Sequence, residues 1–407
     1  MADGLIRGEI TDASIEKKRM RIGWPNPTVR TGITKLPWNV EATPDSIRHY
    51  VEGYGETNPL FLDAAHASAT RWGGLIAPPS FEATMGLDHS PQPSDELAAA
   101  TKGALRGVHL YHSGNDARYY RPVRPGDVLT STNVVSDVQE KSGSTFAGRS
   151  VIVTNRLTYW DADGAVVATV DKWFVHAERK RASSGEGKYG KDEPASYSDD
   201  DLAAIEGAYD AEFRRGADTW WFEDATPGER LPRMVKGPLT ITDLINFHMG
   251  GGWFGYGNPP LRLAYENRKK LRGFYTRDEF GGWDTVQRVH WIPELAREVG
   301  VPSAYDIGPM RWSWLCHYCT SVAGDDGWPV RLRAELRRFN YMGDVTWLEG
   351  EVVDKRVDSE LGPCVDIRIE GTNQRGQANM TATATILVPS REHGPATLPA
   401  APATPAP

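Results

Sequence analysis

The feature that most constrains this chain is that its strand-forming sequence occurs twice. Arg118–Val138 (RYYRPVRPGDVLTSTNVVSDV) parallels Arg337–Val357 (RRFNYMGDVTWLEGEVVDKRV), each passing through Gly-Asp into a run of alternating apolar and polar residues. RSVIVTNRLTYWDADGAVVATVDKWFV then parallels CVDIRIEGTNQRGQANMTATATILV, and each reads as two alternating runs joined by a turn, Asp161–Gly164 in one and Asn373–Gly376 in the other. Ahead of these blocks each half carries a capped helix, with Thr43 before Pro44 in one and Thr240 or Thr242 in the other, and then a segment of small residues leading into a longer helix. Two copies of one α+β unit follow, each a meander of antiparallel strands wrapped around a central helix.

The 407 residues suffice for two such units with separate cores. A polar run from Glu178 to Asp201, mixed in charge and rich in Gly and Ser, divides them. The expected boundaries are 1–178 for the first unit, 179–218 for the linker, 219–390 for the second unit and 391–407 for a disordered Pro/Ala tail. A net charge of −8 speaks against a nucleic-acid partner, which would require clustered Lys and Arg. No apolar stretch is long enough to span a membrane, the first residues lack a signal-peptide core, and three cysteines suit a reducing compartment, so the expectation is a cytoplasmic protein. Cys316 and Cys319 form a C-x-x-C, but only Cys364 remains to complete a zinc set and the pair sits on a core helix, so no metal is expected. Gly250–Arg262 does not follow a strand, which argues against a dinucleotide loop.

Two segments give the repeat a chemical meaning. GETNPLF, Gly55–Phe61, resembles the Gly-Asp-x-Asn-Pro-x-His signature of the MaoC-like acyl dehydratases and (R)-specific enoyl-CoA hydratases. HWIPELAREVGVPSAYDIGPM, His290–Met310, is similar to the stretch that begins at that family's signature histidine, with Ala296 and Gly300 in register. The resemblance implies a tandem hotdog fold whose N-terminal half is of the fatty-acid-synthase dehydratase type. It also implies the chemistry: a carboxylate and an imidazole share one water, which is added to or removed from an acyl thioester while an oxyanion hole polarises the carbonyl.

On that basis the halves differ. In the first, Phe61 stands at the histidine position, so Glu56 has no basic partner at the usual spacing, and Pro78-Pro79 remove an N–H from the helix start. This half is expected to shape the acyl pocket. In the second, His290 is the expected base and the Gly308 N–H, at a helix start followed by Pro309, is the expected oxyanion donor. Asp284 is the carboxylate candidate, although it lies six residues before His290 where the family has five, and Gln287-Arg288 replace Asn-Pro. It reads equally well as a turn residue. Tyr305, Trp253 and Tyr256 are the substrate-binding candidates, and the basic run Glu266–Arg277 suits either CoA phosphates or a solvated helix face. The expected activity is hydro-lyase interconversion of 3-hydroxyacyl-CoA and 2-enoyl-CoA, with no cofactor beyond the CoA carried by the substrate and a homodimer or higher homo-oligomer as the assembly. A silent acyl-CoA-binding or partner subunit, and an acyl-CoA thioesterase, are the alternatives.

Overall fold

The computed structural model describes residues 8–27, 36–144, 148–178, 193–252 and 259–403. The first unit contributes strands β1 (Leu87–Asp88), β2 (His109–Tyr119), β3 (Thr130–Ser144), β4 (Gly148–Trp160) and β5 (Val166–Ala177). The second contributes β6 (Arg230–Lys236), a small ribbon of β7 (Tyr275–Arg277) and β8 (Trp283–Thr285), and then β9 (Trp328–Leu336), β10 (Thr346–Asp358), β11 (Gly362–Asn373) and β12 (Ala378–Leu387). All but the ribbon join one ten-stranded sheet in the order β1-β3-β4-β5-β2-β9-β12-β11-β10-β6. Inside the edge strands β1 and β6 the order reads the same from either side, as two copies of one meander must when their β2 and β9 strands pair. The duplicated blocks are β3 to β5 and β10 to β12, so the architecture is the tandem hotdog that the family resemblance implied.

The seam between the units is antiparallel, with Gly114 opposite Glu335 and Arg118 opposite Arg331. Across it, Asp116 accepts from Arg331 at 2.8 Å and from Arg333 at 3.3 Å. A bulge between His112 and Gly114 interrupts the β2–β5 register, and it places His112 and Asn115 on one face, so that their side chains meet at 2.8 Å.

Helices α1 (Pro44–Glu52), α2 (Asp199–Asp210) and α3 (Ile241–Gly251) each start with a capping box, at Thr43/Ser46, Ser198/Asp201 and Thr240/Asp243. The choice between Thr240 and Thr242 is thereby settled for Thr240. Helix α2 falls inside the expected linker, so that segment is not wholly irregular. The central helix of the second unit, α4 (Gly308–Ala323), is buried from Pro309 through Ala323. Its counterpart in the first unit differs from expectation: only a four-residue 3-10 turn, Phe81–Thr84, forms. Pro78 and Pro79 precede it, Ser80 adopts φ 84°, and Gly86 (φ 95°), Pro91 and Pro93 follow, so neither hydrogen bonding nor backbone angle allows a longer helix. Part of the stretch expected to be a disordered tail is also packed. Ser390 and Gly394 exchange backbone bonds, Ala396 is buried in the main core and Leu398 lies against it. Proline lacks a donor but leaves its neighbours free to bury apolar surface.

Gly114 marks how closely the seam is packed, since a Cβ there would lie 2.1 Å from Trp173 and 2.3 Å from the Ala334 carbonyl. Gly114→Ala is expected to destabilise the chain by about 1–3 kcal/mol through overpacking. Urea unfolding followed by circular dichroism measures this, and an unchanged midpoint would mean that the seam has slack.

Candidate active site

Val286–His290 form a single 3-10 turn after β8, which carries the His290 ring back to the loop leading into α4. There His290 Nδ1 lies 2.8 Å from the Tyr305 carbonyl oxygen. A carbonyl can only accept, so Nδ1 carries the proton and Nε2 holds the lone pair. Burial pushes the imidazole down to about 4, which keeps it neutral near pH 7. The Tyr305 ring packs edge-on against His290 at 4.6 Å and against Phe339 at 4.9 Å. Tyr305 therefore holds the His290 ring with its backbone and its own ring together.

Three residues on, Gly308 opens α4, a sixteen-residue helix whose positive end lies at this point. A Cβ at Gly308 would stand 2.1 Å from His112 Nδ1, so the absence of a side chain is what lets the imidazole from β2 of the other unit approach the helix start. His112 Nε2 bonds Asn115 Oδ1, which leaves Nδ1 as its acceptor nitrogen, and burial, then the Lys172 charge, push this ring down to about 3. Asp306 and Arg311, both buried, pair at 2.8 Å just below the same helix end. Burial raises Asp306 to about 6 against the pull of Arg311.

The other candidates are placed differently. Asp284 is 44% exposed; it accepts from the Thr285 N–H and stands 3.9 Å from Arg288, and no hydrogen bond joins it to His290. The expected dyad is thus not assembled. The position five before His290 is Thr285, which is buried and cannot ionise. Trp253 and Tyr256 lie outside the described residues. In the basic run, Arg268 and Arg277 lie over the Trp283 ring at 4.8 and 4.3 Å. The three cysteines are buried and free, and no metal-binding group occurs among the described residues.

Sequence reasoning missed the partner of Glu56. His317, on α4 of the second unit, places Nε2 at 3.3 Å from Glu56 Oε1 and 3.4 Å from Glu212 Oε1, while Lys236 Nζ donates to its Nδ1 at 2.9 Å and lies 3.3 Å from Glu212 Oε2. Burial pushes the Lys236 ammonium down. Burial would raise Glu212, but the His317 hydrogen bond and the Lys236 charge outweigh it and hold it at about 2. No sequence spacing signals this set, because its members come from both units and from the segment after α2. Phe61 is buried in the main core.

With this geometry in hand, the comparisons with known proteins can be stated. The fold is that of MaoC-like dehydratases: one solved "MaoC-like dehydratase" superposes with a TM-score of 0.57 over 90% of this chain and 98% of its own, at 16% identity. A putative MaoC domain protein dehydratase from Chloroflexus aurantiacus superposes with a TM-score of 0.52 over 89% of this chain and 96% of its own, at 13% identity. Residues 30–170 match the FAS1-like dehydratase domain region. A UPF0336 protein of Thermobifida fusca is 30% identical over 110 residues, covering 27% of this chain and 70% of that protein, and the chain belongs to this family. A Thermomonospora curvata protein named "Probable enoyl-CoA hydratase alpha subunit" is 31% identical over 137 residues, covering 31% of this chain and 42% of that one. No helix among the described residues is long and apolar enough to cross a membrane.

Two expectations follow from the buried charges. His112, His176, His248 and His290 are all held below their ordinary 6.5 by burial, so the unfolded chain binds more protons than the folded one as pH falls from 6.5 toward 4. Glu82 and Asp306, which burial raises to about 7 and about 6, act in the opposite sense but are outnumbered. The melting temperature should therefore fall across that window, and a flat or rising profile would contradict the burial of these rings. Lys236→Met, which leaves Glu212 without its cation, should cost about 3–5 kcal/mol in chemical denaturation, whereas a loss below 1 kcal/mol would show the set to be weakly coupled.

Proposed function

We propose that this chain is a hydro-lyase that interconverts 3-hydroxyacyl-CoA and 2-enoyl-CoA. The observation that carries this reading is the His290–Tyr305 hydrogen bond of 2.8 Å, which fixes the tautomer a general base requires on the loop that enters α4. In the hydration direction His290 Nε2 takes a proton from water as the water oxygen bonds to Cβ. The electron pair of the Cα–Cβ double bond moves to the thioester oxygen, where the Gly308 N–H and the α4 dipole stabilise it. The imidazolium then returns a proton to Cα and the carbonyl reforms, so one water is added and the base regenerated. Dehydration is the reverse.

In this scheme the imidazole acts without a bonded carboxylate, and Asp284 stands outside the chemistry. The FAS1-like dehydratase region and the relative named as an enoyl-CoA hydratase subunit support the same class of reaction. A silent acyl-CoA-binding subunit is favoured instead by the unassembled Asp284–His290 pair and by Phe61 at the other histidine position.

Loss of the conjugated absorbance of enoyl-CoA distinguishes the two. His290→Ala should lower turnover by roughly a hundredfold to ten-thousandfold, the range for a general base, while Asp284→Asn should change it less than about threefold. Wild type and His290→Ala inactive alike on a broad enoyl-CoA panel would establish the silent subunit, and release of free thiol would establish hydrolysis.

A further inference from the structure

The basic run near β7 takes no part in the chemistry above, yet it concentrates positive charge on a chain whose net charge is −8. Between Arg262 and Arg277 stand six Lys or Arg and one acid, Glu266, which pairs with Arg262 at 3.1 Å. Among the described residues no carboxylate pairs with the other five cations, Arg268, Lys269, Lys270, Arg272 and Arg277. Like charges gathered this way repel one another, and a bound anion relieves the repulsion.

The cations stand on a fixed platform. On the helix Leu261–Lys270 and the residue that ends it, Ala264 and Leu271 pack against Phe274, Tyr275 and Val286. Asn267, between them on the same face, donates to Tyr275 Oη at 2.9 Å. Lys269 Nζ lies 4.1 Å from the centre of the Tyr265 ring, and Arg268 and Arg277 both lie over Trp283. Three cations from a helix and a ribbon are thus held close together by aromatic rings, with no carboxylate competing for their N–H donors.

The platform is also tied to the candidate base. The buried Arg288 donates to Thr276 Oγ1 at 2.7 Å and to the Arg277 carbonyl at 2.6 Å, so β7 is fastened to the turn that ends at His290. The backbone path from Trp283 through β8 and that turn to His290 is at most about 20 Å, at about 3.3 Å per strand residue and about 2.0 Å per 3-10 residue. The extended pantetheine arm, which separates the thioester of an acyl-CoA from its phosphates, covers such a span. A lipid surface fits less well, because Phe280 at the ribbon tip, 88% exposed, stands next to the exposed carboxylate of Glu279.

We infer that the helix Leu261–Lys270 and the β7–β8 ribbon bind the phosphorylated nucleotide end of coenzyme A, with Arg268, Lys269 and Arg277 as the phosphate-binding cations. The inference rests on the acyl-CoA reading above and adds where the carrier is held.

Saturated thioesters test it without calling on catalysis. In calorimetric titration of the full chain, butanoyl-CoA should bind at least about tenfold tighter than S-butanoyl-pantetheine, which lacks the phosphates; one hydrogen bond to a charged group is of that size. The margin should shrink at about 1 M salt, where charges are screened beyond about 3 Å. Arg268→Gln/Lys269→Gln, and separately Arg277→Gln, should each weaken butanoyl-CoA about tenfold and leave the pantetheine thioester unchanged, with circular dichroism confirming the fold. Equal wild-type binding of the two thioesters, or wild-type affinity for butanoyl-CoA in both folded variants, would overturn the inference and leave the lyase reading intact. Adsorption to phosphatidylglycerol vesicles that the variants lose while their butanoyl-CoA affinity stays unchanged would give the cluster to a lipid surface instead. Binding of neither thioester by the wild type would overturn the acyl-CoA reading and the inference together.

Discussion

Helix α4 is enclosed by both units, and a helix without a solvent face must find a partner for every polar side chain it carries. Arg311 pairs with Asp306 at one end, Ser313 meets Tyr50 of the first unit, and His317 joins Glu56, Glu212 and Lys236 further along. These contacts fix the rotation of the helix about its axis. They therefore also fix where the Gly308 N–H lies relative to His290. The candidate chemistry depends on that single orientation more than on any one side chain at the site.

The two units reach this arrangement by unequal routes. The second keeps a full helix and loses a bonded carboxylate at the base. The first keeps its carboxylate, Glu56, but fills the histidine position with Phe61 and reduces its own helix to one turn. What remains of the first unit is put to use by the second, because Glu56 anchors α4 and His112 abuts its start.

Much of the fold was legible because strand alternation and capping are local. Thr43 and Thr240 cap as the sequence implies, and β3 to β5 and β10 to β12 occupy the repeated blocks. Of the candidate site, a local motif marks only His290 and Gly308, which the structure places at the two ends of the loop entering α4. His112 and Asn115 share a face through a bulge that alternation cannot reveal, since three residues apart they would ordinarily point to opposite sides. His317 lay hidden in an apolar-rich helix, and its partners come from three separate segments. The helix expected in the first unit failed for a reason that was in the sequence, the prolines on either side of it, but whose weight depended on whether tertiary packing would override them. The same holds for the Pro/Ala stretch, where Ala396 shows that a low-complexity composition can still serve as packing material.

The segment after α2 carries Glu212 into the buried set around His317, and so the connection between the units touches the interior at that point. In a duplicated protein whose halves merely lean on one another, the joining peptide can be cut, lengthened or dispensed with, and the halves can drift apart into separate subunits. Here such a separation would take the Glu56 carboxylate away from the buried His317. The duplication has in this sense become more than adjacency: a buried side chain at the centre of one half is completed by a carboxylate of the other.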